Sequence, residues 1–129
     1  MLAEGLDQPL LLANAHRTTS CGRFKRYGYK HCGRCVPCLI RRAAFTHWGV
    51  ADRTLYKYKS LSKDDKEHAR SDDVRAAAMA VADVKERGVE AWLGASLSSS
   101  LIRDKDVLRQ VARRGLDEVA RFLQTQKIR

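Results

Sequence analysis

The chain has 129 residues, a net charge of +10 and an apolar fraction of 44%, values that suit about one soluble domain. No apolar run approaches the roughly 18 residues that would span a membrane, and Glu4 and Asp7, with no basic segment before them, argue against a secretory signal. The expected compartment is therefore the reducing cytoplasm, where disulfides are rare and the four cysteines point to metal binding or redox chemistry.

The leucine-rich residues 1–15 carry Asp7 and Pro9, which predict the start of a short helix over residues 10–13. Residues 16–37 have no helical period and read as a metal-organised loop. Pro37 suits a first helical turn, so a helix is expected over residues 37–48, stopped by Gly49. Leu39, Ala43 and Trp48 would face inward on it, with Arg41 and Arg42 directed elsewhere. Ser71 is a good N-cap, and Asp72 and Asp73 suit the first turn that follows. Val74, Ala77, Ala78, Val81 and Val84 keep helical spacing up to Gly88. The "SLSSS" run at residues 96–100 signals a loop. Finally Val107, Leu108, Val111, Ala112, Leu116, Val119, Ala120 and Leu123 form an apolar stripe. Gly115 interrupts it at a cost of about 1 kcal/mol relative to Ala, which predicts a bend. Strand signals are almost absent, and the many alanines predict a thin core that needs another domain to pack against.

The charge is concentrated on one segment. From His16 to Lys59 eleven Lys or Arg stand against one acid, Asp52, while residues 1–15 carry −2 and residues 60–129 carry +2. A patch of this kind favours polyanions such as nucleic acid, nucleotide or phosphate; a solvated face is the plainer alternative.

All four cysteines lie in this segment, as Cys21, Cys32, Cys35 and Cys38. The spacing Cys-x10-Cys-x2-Cys-x2-Cys lets neighbouring sulfurs curl onto one ion, and a four-thiolate shell closes a tetrahedral zinc site, which is structural rather than catalytic. Gly33 follows Cys32, where a knuckle turn prefers a residue free to take positive φ. A ferredoxin-type cluster is a competitor, although its motif continues with a fourth Cys and a Pro where Arg41 and Arg42 stand here. Disulfide or redox use is the other. His31 adjoins Cys32, but a full cysteine set makes it unnecessary as a ligand. His16, His47 and His68 have no partner pattern and read as surface or core residues. No nucleophile elbow, HExxH or paired-carboxylate motif is present, so no catalytic residue is assigned. The predicted fold is mostly α, a zinc-organised loop of four cysteines followed by a helical C-terminal region, divided as residues 1–15, 16–59 and 60–129.

Four stretches taken together, "TTSC" ending at Cys21, "CGRCVPC" from Cys32 to Cys38, "IRRAAF" from Ile40 and "WGVAD" ending at Asp52, resemble a known segment. It is the C-terminal zinc segment of 7-cyano-7-deazaguanine synthases, PP-loop ATP pyrophosphatase-superfamily ligases of the queuosine pathway. The likeness covers about residues 10–52. It implies that Cys21, Cys32, Cys35 and Cys38 hold one zinc ion. It also implies that Arg41 or Arg42 is the basic residue of the following helix, hence a candidate substrate-binding residue. The chain would then be a fragment of a larger α/β PP-loop protein. Enzymes of that family adenylate 7-carboxy-7-deazaguanine with ATP and end with a nitrile, using a Ser-Gly-Gly-x-Asp-Ser loop whose amides cradle phosphate. No two of the eight glycines here are adjacent, so these residues hold no such loop. ATP would be bound only if another chain supplied the PP-loop domain, and activity of this chain alone is not expected. Arg53 stands where the family usually has proline. The tail beyond Lys59, through "DDVRAAAMAV" and "GASLSSSL", is similar to divergent synthase-like subunits of bacterial antiphage operons, notably the Qat system.

The expected function is thus that of the zinc-binding part of a deazaguanine-synthase-like ligase. The alternative is a stand-alone zinc module binding nucleic acid, in which Phe24, Tyr27 and Tyr29, interleaved with Arg23, Lys25, Arg26 and Lys30, stack on bases. Leu2, Leu6 and residues 10–12, together with the stripe over residues 107–123, predict a docking surface. The expected partner is a PP-loop subunit or a second copy of the chain; a nucleobase or nucleic acid fits the basic patch, and no membrane is implied.

Overall fold

The computed structural model describes residues 5–61, 72–98, 100 and 102–128. The expected Ser71 cap, Leu2 and His68 lie outside them. Four helices account for most of the described chain: α1 (Gln8–Asn14), α2 (Val36–Trp48), α3 (Asp72–Leu93) and α4 (Lys105–Thr125). Short 3-10 turns occur at Ala15–Arg17, Lys25–Tyr27 and Gly94–Leu97. Among the described residues the extended chain makes one isolated parallel bridge, between His31 and Tyr56. No helix there is long and apolar enough to cross a membrane. The mostly α expectation therefore holds, with a cysteine cluster leading into helices.

Local chemistry explains the helix ends. The Asp7 carboxylate accepts the Leu10 N–H at 2.9 Å and caps α1, satisfying one of the orphan donors of a first turn. α2 starts with Pro37 in its first turn and ends at Gly49, whose φ of 74° lets its N–H reach back to the Phe45 carbonyl. Two glycines fall within the helical half. Gly88 closes the helical spacing as expected: it takes φ 82° and ψ 158°, a non-helical conformation that kinks α3, and helical residues resume after it through Leu93. Val89 just beyond the break is buried, so burial of its side chain favours resuming the helix. Gly115 lies within α4, which runs uninterrupted from Lys105 to Thr125.

α4 is the centre of the helical core, packing on α2 and on α3. Leu39 and Ala43 of α2 meet Val119, Phe122 and Leu123 of α4, and Val74 of α3 joins the same cluster, as does Leu61. The stripe on α4 is thus buried in its second half only. Val107, Leu108 and Val111 of the first half are exposed, as are Leu6, Leu10 and Leu12 around α1. Trp48 is half-buried; its indole N–H donates to Gln8 Oε1 at 2.9 Å and ties α1 to the end of α2.

Candidate metal centre

The loop before α2 is built around sulfur. Cys21, Cys32, Cys35 and Cys38 are all buried, none is in a disulfide, and their sulfurs lie within 4.8 Å of one another. Each is delivered by a different local device. Cys21 opens a turn closed by the Phe24 N–H on its own carbonyl. Cys32 and Cys35 flank a knuckle, Cys35 is the N-cap of α2, and Cys38 sits in the first turn of that helix. The knuckle directs the Arg34 and Cys35 N–H groups onto Cys32 Sγ at 3.4 and 3.2 Å, while the Cys32 N–H donates to Cys21 Sγ at 3.3 Å. Hydrogen bonds of this kind favour the thiolate over the thiol.

The sulfur geometry passes a metal-fit test. A tetrahedral shell with bonds of about 2.3 Å places its sulfurs about 3.8 Å apart. The Cys32–Cys38 and Cys35–Cys21 sulfur distances are 3.8 and 3.9 Å, far beyond a disulfide bond of about 2 Å. The proton balance adds to this. The hydrogen bond with Cys38 and the two N–H donors draw the Cys32 thiol down to about 4. Burial pushes Cys35 up to about 11, and Cys38 is pushed up mainly by its bond to Cys32. Of Cys32, Cys35 and Cys38, only Cys32 is a ready thiolate without a cation; ionising the other two as well needs a positive charge among them. Four buried cysteines so placed could hold one metal ion.

Gly33 makes the knuckle possible. It takes φ 87°, and a Cβ there would lie 2.2 Å from the Tyr58 carbonyl oxygen. That carbonyl belongs to residues 53–60, a segment that runs beside the loop. His31 N–H donates to Leu55 O at 2.9 Å, Lys57 N–H to His31 O at 2.8 Å, and Tyr58 N–H to Cys32 O at 3.1 Å. Phe24, Tyr27 and Tyr56 pack against the cysteines.

Three arginines counted within the basic patch turn inward instead. Arg34 is 1% exposed, donates twice to the Ser60 carbonyl at 3.1 and 3.2 Å, and lies over the Tyr58 ring. Arg42 donates to Gly33 O at 3.2 Å and Lys59 O at 2.7 Å, with its guanidinium near both Tyr56 and Phe122 rings at 5.2 and 5.1 Å. It therefore joins the cysteine loop to the helical core; carbonyls receive charged donors, and the rings receive the cation. Arg41 donates to Thr54 Oγ1 at 3.0 Å, to Thr18 Oγ1 at 2.9 Å and to the Ala15 carbonyl. The candidate substrate-binding pair Arg41 and Arg42 thus spends most of its donors on holding loops together. The structural role of Arg34 was not legible beforehand; its position between Gly33 and Cys35 was the available signal.

The other eight cations of residues 16–59, namely Arg17, Arg23, Lys25, Arg26, Lys30, Arg53, Lys57 and Lys59, are exposed. Of the interleaved aromatics, Phe24 and Tyr27 are half-buried against the cluster, and Tyr29 is exposed. His31 is buried, which lowers its pKa and keeps the ring neutral. It does not join the converging ligand set, which consists of the four cysteines. His47 lies 3.9 Å from Glu118 on α4, and His16 follows α1 in the 3-10 turn.

No family model and no solved structure matches this chain. Over 55 residues it is 38% identical to the 7-cyano-7-deazaguanine synthase of Methanococcus maripaludis, strain C6. That match covers 43% of this chain and 24% of the archaeal protein, so the chain spans about a quarter of its relative's length.

Proposed function

We propose that the chain is the zinc-bearing part of a 7-cyano-7-deazaguanine synthase-like, ATP-dependent ligase. The observation that carries this is the convergence of Cys21, Cys32, Cys35 and Cys38 on one point, in the order and spacing of that family's zinc segment. The partial likeness to the Methanococcus maripaludis protein supports it. Zinc suits a closed set of four thiolates, and it would hold the loop in shape rather than take part in a reaction. Elemental analysis of protein purified without added metal is expected to give about one zinc per chain and no stoichiometric iron; iron with the absorption of a cluster would transfer the site to electron transfer.

In this reading the ATP-binding PP-loop comes from a partner subunit. That partner would seat on the exposed leucines around α1 and on Val107, Leu108 and Val111 of α4. The working compartment is the cytoplasm. The Qat-like wording of the tail adds no chemistry, and a defence role would have to come from the partner. Purified chain, mixed with ATP and 7-carboxy-7-deazaguanine, is expected to release no pyrophosphate above a Cys35→Ser control, because no glycine pair is present to approach a phosphate. Adding a PP-loop protein with which it co-purifies should restore release. Pyrophosphate from the chain alone would refute the division of labour.

A second function, nucleic-acid binding, is favoured by one observation, the eight exposed cations around the loop.

A further inference from the structure

We propose that the cysteine loop carries a site for single-stranded nucleic acid, with a base against Tyr29 and the adjoining phosphates on Arg17 and Arg53. The site gives the nucleic-acid function named above a place, and it is independent of the ligase function.

Two cavities flank residues 53–55. One, of about 340 Å³, has Phe24, Tyr29 and His31 in its wall together with Arg17 and Arg53. The other, of about 530 Å³, has Lys30 and Lys59 and shares Arg53. Arg53 therefore stands on the ridge between an aromatic cavity and a cationic one. Tyr29 is 68% exposed although its backbone takes φ 60°. A tyrosine resists that conformation, so the fold maintains strain at a residue that contributes little burial in return, a pattern concentrated at ligand sites. Its ring is steadied edge-on by Phe24 at 5.8 Å. His31, 2% exposed, closes the wall of the cavity behind these rings.

The charges point the same way. Among the described residues Arg17, Lys30, Arg53 and Lys59 have no acidic partner. Asp52 also lines the second cavity, but its carboxylate accepts the Thr54 N–H at 2.9 Å and the Tyr56 O–H at 2.7 Å. Aromatic platforms beside a cationic track are how single strands are held without sequence readout. A free nucleotide offers the same base and phosphate, but the cations beyond Arg53 suit a ligand with further phosphates, which a strand has.

The test is fluorescence anisotropy with the full metal-loaded chain and a labelled five-residue thymidylate strand. Tyr29→Asn tolerates the left-handed backbone while removing the ring, and is expected to weaken binding about tenfold or more. Tyr29→Phe should bind like the wild type. Arg53→Gln should weaken binding and reduce the slope of log affinity against log salt by about 0.7. Lys85→Gln, exposed on α3 and roughly 18 Å along the helix from the Asp73–Arg23 contact with the loop, should leave the affinity within about twofold, as expected of a charge beyond screening distance. Unchanged metal content and melting temperature in the Tyr29 variants show that the loop is intact. Absence of strand binding overturns the proposal, as does equal weakening by Tyr29→Asn and Lys85→Gln, which would mark diffuse charge attraction. Thymidine monophosphate competing as well as the unlabelled strand would assign the site to free nucleotides and overturn the strand. The pyrophosphate assay is insensitive to all these outcomes, so the two functions fail separately.

Discussion

Gly33→Ala should be among the most damaging single substitutions in the chain. Two independent penalties meet at this position. The backbone φ of 87° disfavours any residue with a Cβ, by about 1–2 kcal/mol. The new methyl would also lie 2.2 Å from the Tyr58 carbonyl oxygen, a backbone atom held by the neighbouring Tyr58 N–H to Cys32 O bond. Relief requires residues 53–60 to move off the loop, which breaks that ladder and the Arg42 bond to Lys59. A loss of at least about 3 kcal/mol is expected, since the backbone penalty of about 1–2 kcal/mol is joined by the loss of a bond to a charged donor, worth about 1.5–3 kcal/mol. Gly49→Ala is the control: it has a similar φ of 74° but open space around the site, so only the backbone penalty of about 1–2 kcal/mol applies. Denaturant unfolding of the two variants decides. Equal losses would mean that the close approach to Tyr58 contributes nothing.

Cys35→Ser is expected to unlock a larger region without dissolving the helical core. The loop has little apolar surface of its own beyond Phe24 and Tyr27, and its sulfurs form its centre. For sites of this type metal binding is itself folding free energy, on the order of 10 kcal/mol or more for small zinc modules. Losing one of four ligands should therefore release residues 16–38. Residues 53–60 should follow, because their backbone bonds end on His31 and Cys32. α3 and α4 share a separate cluster through Val74, Val119, Phe122 and Leu123 and should stay protected. Hydrogen exchange is expected to accelerate at least about a hundredfold over residues 20–38 and only a fewfold over residues 116–123, in keeping with cooperative units that open separately. Protection retained across residues 20–38 would show that the aromatic packing suffices without the fourth sulfur.

Much of this was legible from residues alone, where the physics is local. A carboxylate three residues before a free N–H caps a helix, so Asp7 announces α1. A proline in a first turn and a glycine after the last one bracket α2 within a residue of its observed ends. Two-residue gaps between cysteines specify a knuckle, and the four sulfurs converge as the spacing predicts. Inside α3 and α4 the effect of glycine depends on its surroundings. A lone glycine permits a break but does not impose one. At Gly88 the burial of Val89 accompanies a break followed by more helix, and at Gly115 the helix continues.

What the sequence by itself determined is therefore the set of helices, their caps and the metal-ready cysteines, each specified by contacts a few residues apart. The tertiary structure decided which charges belong to the surface. Arg34, Arg41 and Arg42 look like neighbours in one basic patch. They turn inward because carbonyls and hydroxyls from 9 to 26 residues away arrive at their guanidiniums. A cation withdrawn from water is tolerable only where such acceptors converge, and convergence of that kind arises where residues 15–18, Gly33 and residues 53–61 meet α2, not from any local pattern.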